Sequence, residues 1–190
     1  MTDNTLADQK TALRKQLKII RTSIPASERK TSSEKIFNLL INIEEIICAR
    51  TVFIYISYGN EVDTHHLLKY FIESGKVLAV PKILPSKTMI AVPFSGWDDL
   101  IPGELGILTP RGEDTISGNI DIAITPGLGF TRTGQRIGYG RGYYDQWFSG
   151  NSVAHKIALS FEAQILDSLP VTVTDIPVDI IVTEQEIIRI

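Results

Sequence analysis

The sequence predicts an α/β domain of three layers built on a mostly parallel sheet. Three observations carry this. Residues 8–24 place apolar side chains at helical spacing, residues 51–57 are rich in β-branched and aromatic residues, and residues 77–82, 120–125 and 157–161 are further short, largely apolar runs. The run at 51–57, the helical pattern after it and the run at 77–82 form a strand, helix, strand succession, as a parallel crossover requires. At 190 residues and 43% hydrophobic content the chain can bury one core without disulfides, so a single domain spanning residues 1–190 is expected.

In the first helix, Leu13, Leu17, Ile20 and Ile24 are spaced by four, three and four residues, which stacks them on one face. Pro25 and Ser27 interrupt the chain, and Ile36, Leu39, Leu40 and Ile43 define a second helix. Residues 51–57, bounded by Tyr58, Gly59 and Asn60, read as a buried strand. Asp63 or Thr64 can cap the next helix, whose inward face is Leu67, Leu68, Phe71 and Ile72; Gly75 is a natural stop before a strand at 77–82. Strands at 89–94 and 120–125 flank an irregular stretch holding Pro102, Gly103, Gly106, Pro110 and Gly112, placed to cover a site. Pro126, Gly127, Leu128 and Gly129 end the second of these strands and lead through Thr133 and Gly134 to a helix at 143–148. Residues 157–161 and 178–183 complete the core sheet, with an edge strand at 186–190.

A net charge of −3 and a pI near 5.6 leave no general attraction for nucleic acid, and no Lys/Arg block marks a membrane surface. Any anion site must therefore be local. Cys48 is the only cysteine, so no internal disulfide forms, and its neighbours Ile46 and Ile47 favour a buried thiol. The N-terminus carries Asp3 and Asp8 in place of an apolar signal core, and the expected location is the cytoplasm.

The local anion site is at residues 136–145, Arg-Ile-Gly-Tyr-Gly-Arg-Gly-Tyr-Tyr-Asp. Gly138, Gly140 and Gly142 allow positive φ and bring backbone amides close to a phosphate. Arg136 and Arg141 can add charge-assisted hydrogen bonds, and Asp145 can hold Mg2+ directly or through water. Together these describe a nucleoside triphosphate site. The plainer reading is a turn between strand and helix, with Tyr143 and Tyr144 in the core and Asp145 as a cap. The GxGxG spacing is neither a P-loop nor a Rossmann fingerprint. Its position after a strand and before a helix suits a ligand of an open α/β sheet.

Dispersed segments resemble one family, the 5-formyltetrahydrofolate cyclo-ligases, also called methenyltetrahydrofolate synthetases. They are Lys10-Thr-Ala-Leu-Arg14, Asn60-Glu-Val-Asp-Thr64, Pro126-Gly-Leu-Gly-Phe130 leading into residues 136–145, Leu169-Pro170-Val171, and Asp175-Ile-Pro-Val-Asp179. The resemblance implies a fold like the NagB/RpiA/CoA-transferase group. It also implies ATP- and Mg2+-dependent closure of 5-formyltetrahydrofolate to 5,10-methenyltetrahydrofolate, releasing ADP and phosphate, by a protein expected to act as a monomer. Lys10 and Arg14, four residues apart on one helix, would contact ATP with Arg136, Ile137, Gly138, Tyr139, Gly140, Arg141, Gly142, Tyr143 and Tyr144. Ile56, Glu61 and residues 139–143 (Tyr139, Gly140, Arg141, Gly142, Tyr143) would meet the folate. Arg141, Tyr143 and Asp145 would be catalytic, and Asp145 and Asp175 would hold the metal, with Asp179 a nearby alternative.

The family often has Lys or Gly where Arg141 stands, which alters the hydrogen-bond pattern and not the sign of the charge. For Lys10 and Arg14 the bland account is a solvated helix face shared with Lys15 and Lys18, and for Glu61 a loop acid. His65 and His66 receive no role, because adjacent helical positions point apart. Phe94 and Trp97 are either core or pterin-stacking residues. A non-catalytic folate or nucleotide regulator and a sugar-phosphate isomerase are the competing functions.

Overall fold

The computed structural model describes residues 3–103, 108–116 and 118–190. Gly106, within the stretch expected to cover a site, lies outside the described residues. The chain begins with α1 (Asp3–Ser23), α2 (Ala26–Leu40) and the short α3 (Glu44–Cys48). Pro25 sits at the N-cap of α2, where its missing N–H costs nothing. Ile43 is not part of that helix, as its spacing suggested; it is the extended residue that starts α3.

A seven-stranded sheet follows, in the order β12 (Ile187–Arg189), β11 (Ile180–Val182), β9 (Val153–Leu159), β6 (Ile120–Thr125), β1 (Thr51–Ile54), β2 (Val77–Ile83) and β3 (Met89–Pro93). The pairs from β11 through β2 are parallel, and β12 and β3 close the two edges antiparallel. The three-layer, mostly parallel reading therefore holds. Strand β9 starts at Val153, four residues earlier than its apolar run suggests, because His155 and Lys156 pair with Ile122 and Ala123 of β6.

Period-two alternation explains the layers. Val52, Ile54, Ile122, Ile124 and Ile157 face α2, α3 and α4 (His65–Glu73) with Ile36, Leu40, Ile46, Leu68 and Phe71. Phe53, Ala79 and Ala123 face the opposite side, where Trp147 and Phe148 of α5 (Tyr143–Gly150) cover them. Asp121, the acid in the otherwise apolar β6, accepts the amides of Arg50 and Thr51 at 2.8 and 2.9 Å. Those backbone hydrogen bonds hold its carboxyl below the usual range.

A second sheet, in the order β10 (Ile165–Leu166), β7 (Gly129–Thr131), β8 (Arg136–Ile137), grows from the segment after β6. It was not anticipated, since its strands are too short to show periodicity. Helix α1 packs on it through Leu17, which shares a buried cluster with Leu128, Ile137 and Leu169. The stretch read as irregular also contains a ribbon, β4 (Leu100–Pro102) paired antiparallel with β5 (Leu108–Pro110).

Helix α4 ends as expected. Gly75 has φ of 70°, and the amides of Gly75 and Lys76 return to Ile72 O and Phe71 O at 3.0 Å each. Cys48 corrects the sequence reading, because it is exposed. Its neighbour Ile46 is fully buried while Ile47 is 61% exposed; at about 100° per residue, adjacent helical positions do not share a face.

Candidate active site

Strand β1 continues to β2 on one side of the sheet, whereas β6 continues to β9 and β11 on the other. The adjacent carboxyl ends of β1 and β6 therefore mark the point where the winding reverses, the usual place for a ligand crevice. A narrow, largely filled recess lies there, lined by Arg21, Tyr55, Glu61, Pro126, Gly127 and Gln164 among others. The two loops that build it, after β1 and after β6, carry the segments singled out in the sequence.

Helix α1 lays three cations across this region. Lys10 Nζ pairs with Asp175 Oδ2 at 2.5 Å, and Arg14 Nε donates to Gly138 O at 3.0 Å. Arg21 Nη1 donates to Tyr139 Oη at 2.7 Å and lies 3.9 Å from Glu61 Oε1. Positions 10, 14 and 21 share one helical face, so the solvated-face account of Lys10 and Arg14 fails: each meets a segment more than a hundred residues distant. Arg21 was missed, although its i+7 relation to Arg14 was available in the sequence.

The glycine loop runs from β8 into α5. Gly140 has φ of +101°, and a β-carbon there would lie 3.3 Å from Arg14 Cζ, so glycine allows both the turn and the approach of the guanidinium. Gly138 does not take positive φ, contrary to the sequence reading. Gly142, in the left-handed region, is the N-cap of α5, a place the plainer reading gave to Asp145. That helix start has no side-chain cap. Arg141 stands exposed at the loop tip and, among the described residues, makes no ion pair. Ile137 turns inward at 3% exposure, anchoring the loop while its carbonyl accepts Leu128 N at 2.8 Å.

Asp145, in the first turn of α5, accepts Arg136 Nη2 at 2.7 Å and Ile176 N at 3.1 Å, both on Oδ1. The Arg136 side chain is only 4% exposed and its Cζ lies 5.5 Å from the centre of the Tyr144 ring. Arg136 thus sits beneath the loop and braces Asp145 and Tyr144. Tyr144 packs on Phe53 and Phe148, and Tyr143 borders the same cluster. Burial, with the nearby Glu61 charge, pushes the Tyr144 phenol far above its ordinary value, so it stays protonated. The Ile176 bond brings the Asp175 segment against the loop. Burial opposes the charge on Asp175, but hydrogen bonds from Lys10 and Thr172 outweigh it and lower its pKa. Asp179 is engaged elsewhere, with Lys156 N at 2.7 Å and Lys156 Nζ at 2.9 Å. A recess lined by Gln135, Arg136, Thr172 and Asp175 adjoins the loop.

The chain from β1 to α4 is a self-tied loop that presents Glu61. Thr64, fully buried, donates its hydroxyl to Tyr55 O at 2.9 Å and accepts Ser57 N at 2.9 Å, and Tyr55 Oη donates to Val62 O at 3.1 Å. Glu61 Oε2 accepts Tyr58 N at 3.0 Å, and Oε1 accepts a short hydrogen bond from Tyr139 Oη. Ile56, expected beside Glu61, belongs to the main core at 8% exposure; Tyr55 and Val62 line the narrow recess instead. Gln164, also missed, is 2% exposed and donates to Gly127 O and Leu128 O at 3.3 and 2.8 Å, tying the β6 loop to the turn after β9.

At the mouth of this loop His65 stacks on Trp97, with ring centroids 4.9 Å apart and 11° between planes, while Phe94 is buried behind them. Asp63, not Thr64, bonds the first amide of α4, at 2.9 Å, and also meets His65 Nδ1 at 2.6 Å. The hydrogen bond from His65 leads the causes that hold the Asp63 carboxyl down at about 2, against its ordinary 3.8. The contact therefore stabilises the fold above about pH 4 and is lost as pH falls toward about 2. Because both side chains are nearly half exposed, the effect is expected to stay below about 1 kcal/mol. Denaturant unfolding of Asp63→Asn across that window should show a shallower acid loss than wild type; identical slopes would contradict it.

Comparison with known proteins agrees with this geometry. A family model described as "5-formyltetrahydrofolate cyclo-ligase family" matches residues 7–184. The chain is 27% identical over 198 residues to a Caenorhabditis elegans protein named "Probable 5-formyltetrahydrofolate cyclo-ligase", covering 96% of each. It is 28% identical to the Mus musculus 5-formyltetrahydrofolate cyclo-ligase over 95% of this chain and 96% of that one. The solution structure of Aquifex aeolicus 5,10-methenyltetrahydrofolate synthetase superposes with a TM-score of 0.84 at 29% identity, covering 95% and 92% of the two chains. A match over nearly the whole chain, on a fold that packs the matching segments against the loop at 136–145, places this protein in the 5-formyltetrahydrofolate cyclo-ligase family.

Proposed function

We propose that this protein closes the 5,10 ring of 5-formyltetrahydrofolate at the expense of ATP, giving 5,10-methenyltetrahydrofolate, ADP and phosphate. The observation that carries the reading is the convergence of Arg14, Arg21 and the Lys10–Asp175 pair on the loop at 136–145, which reaches Glu61 through Tyr139, within a chain whose family is known. In this reading it acts as one catalytic domain and as a monomer in the cytoplasm.

The formamide oxygen is a poor leaving group and N10 is a weak nucleophile. In the proposed route the formyl oxygen attacks the γ-phosphorus and displaces ADP. N10 then adds to the formyl carbon, loses its proton, and expels the oxygen as phosphate, leaving the conjugated methenyl cation. Such a transfer depends on alignment and charge neutralisation, not on a protein nucleophile. Lys10, Arg14, Arg141 and the amides of residues 137–144 are suited to the triphosphate, with Arg136 bracing the loop from below. Arg141, carrying no internal partner among the described residues, is the cation free to follow charge on the transferred group.

Asp145 and Asp175 fit Mg2+. They lie on adjoining segments, and the bonds to Asp145 occupy Oδ1 alone, which leaves Oδ2 for an ion that needs few carboxylates when phosphates complete its shell. When bound, Mg2+ would neutralise charge on the triphosphate. Glu61 is placed to accept the N–H donors of the pterin, and Tyr143 borders both substrates.

Incubation of the protein with 5-formyltetrahydrofolate and Mg-ATP is expected to produce the methenyl chromophore with one ADP per product. Binding of both compounds without any product would instead favour the regulator reading, and no binding would reject both.

A further inference from the structure

The Glu61 carboxylate, the group proposed to receive the pterin, is already occupied from within. Its Oε2 accepts the Tyr58 amide, and its Oε1 accepts the Tyr139 hydroxyl, which in turn accepts Arg21 Nη1 at 2.7 Å. Arg21 and Glu61 are nearly buried, with side chains 11% and 12% exposed, whereas Tyr139 is 43% exposed and sits between Gly138 and Gly140 in the phosphate loop. The Arg21 guanidinium also lies 5.5 Å from the centre of the Tyr139 ring. Burial and the Glu61 charge raise the Tyr139 pKa, which keeps this phenol a donor.

We propose that Tyr139 is a gate on Glu61 and that Arg21 is the positioning residue that serves both of its states. With the gate closed, the relay runs Arg21 to Tyr139 to Glu61. With Tyr139 swung out on its flanking glycines, Arg21 Nη1, already 3.9 Å from Glu61 Oε1, becomes the direct partner of the carboxylate. A nearly buried charge is then never left alone, a situation the fold would otherwise be destabilised by. The gate selects for donors: only a ligand edge bearing N–H groups, such as an aminopyrimidinone, can replace the phenol O–H on Oε1. Because Tyr139 belongs to the loop at 136–145, opening at the folate side also moves a phosphate-binding residue, which couples the two substrate sites. The inference rests on the reading that Glu61 receives the reduced folate.

Calorimetric titration with 5-formyltetrahydrofolate, without ATP, tests it on wild type, Tyr139→Phe and Arg21→Gln. If the closed state is the major one, removing the phenol O–H lifts a population penalty, and Tyr139→Phe should bind about tenfold more tightly. In the turnover assay with Mg-ATP, Arg21→Gln should raise KM for the folate by about tenfold while kcat changes by less than about twofold, with Arg21→Lys recovering part of the loss. Unchanged or weaker binding by Tyr139→Phe would overturn the gate and make Tyr139 a ligand contact or a bystander. Failure of wild type to bind the folate would instead strike the functional reading beneath it.

Discussion

Asp145→Asn should cut turnover by on the order of 100-fold at limiting Mg2+, because it removes the one acid of the loop whose second oxygen faces no protein donor. The substitution keeps the shape of the side chain, and the amide oxygen can still accept Arg136 Nη2 and Ile176 N. What is lost is charge. Arg136 is 4% exposed, so a neutral partner leaves its guanidinium poorly compensated, while the 25% exposure of Asp145 admits enough water to limit the damage. A stability loss of about 1–2 kcal/mol is expected, or a fall in Tm of a few degrees. The kinetic effect should exceed the thermal one and should shrink as Mg2+ is raised, since weakened metal affinity can be met by mass action. Activity within a factor of two of wild type at limiting Mg2+ would remove Asp145 from the metal site.

Gly134→Ala should be the most damaging single-atom change to the fold. Gly134 turns between β7 and β8 with φ of +81°, its carbonyl accepts Val178 N at 2.9 Å, and an added β-carbon would lie 2.5 Å from the Val178 carbonyl oxygen. Two costs combine: a left-handed backbone with a side chain, and an overlap with backbone that has no rotamer to yield. Together they should cost about 3 kcal/mol or more, lowering Tm by about 6–12 °C in a chain of this size. Gly150→Ala is the control, because its β-carbon meets nothing within 4 Å. Unfolding of Gly134→Ala within a degree of wild type would show that the segment at 175–178 can shift without loss. In that case Asp175, carried by the same segment, would not be firmly placed.

The stretches easiest to read in the sequence were those with a local signal. Helix α1 showed itself through Leu13, Leu17 and Ile20, the central strands through their β-branched runs, and the end of α4 through Gly75. Signals failed where they were short or depended on a partner. Strands β7, β8 and β10 hold three, two and two residues, below any detectable period, and are defined by pairing with one another. Cys48 is exposed beside buried Ile46 because apolar neighbours in the sequence of a helix are not neighbours in space. Within the site, Asp63 and Thr64 of the Asn60 to Thr64 motif proved to tie the loop together, leaving Glu61 as its presented acid.

The sequence by itself determined the fold class, the family and the residue types of the glycine-rich loop, since propensity, periodicity and glycine spacing act over a few residues. Only the tertiary structure decided that Lys10 meets Asp175 across 165 positions, that Tyr139 meets Glu61 across 78, and that Arg136 is a brace. Those contacts follow from crossovers that wind the sheet in opposite directions from β1 and β6. Chain distance carries no information about which side chains such crossovers bring together.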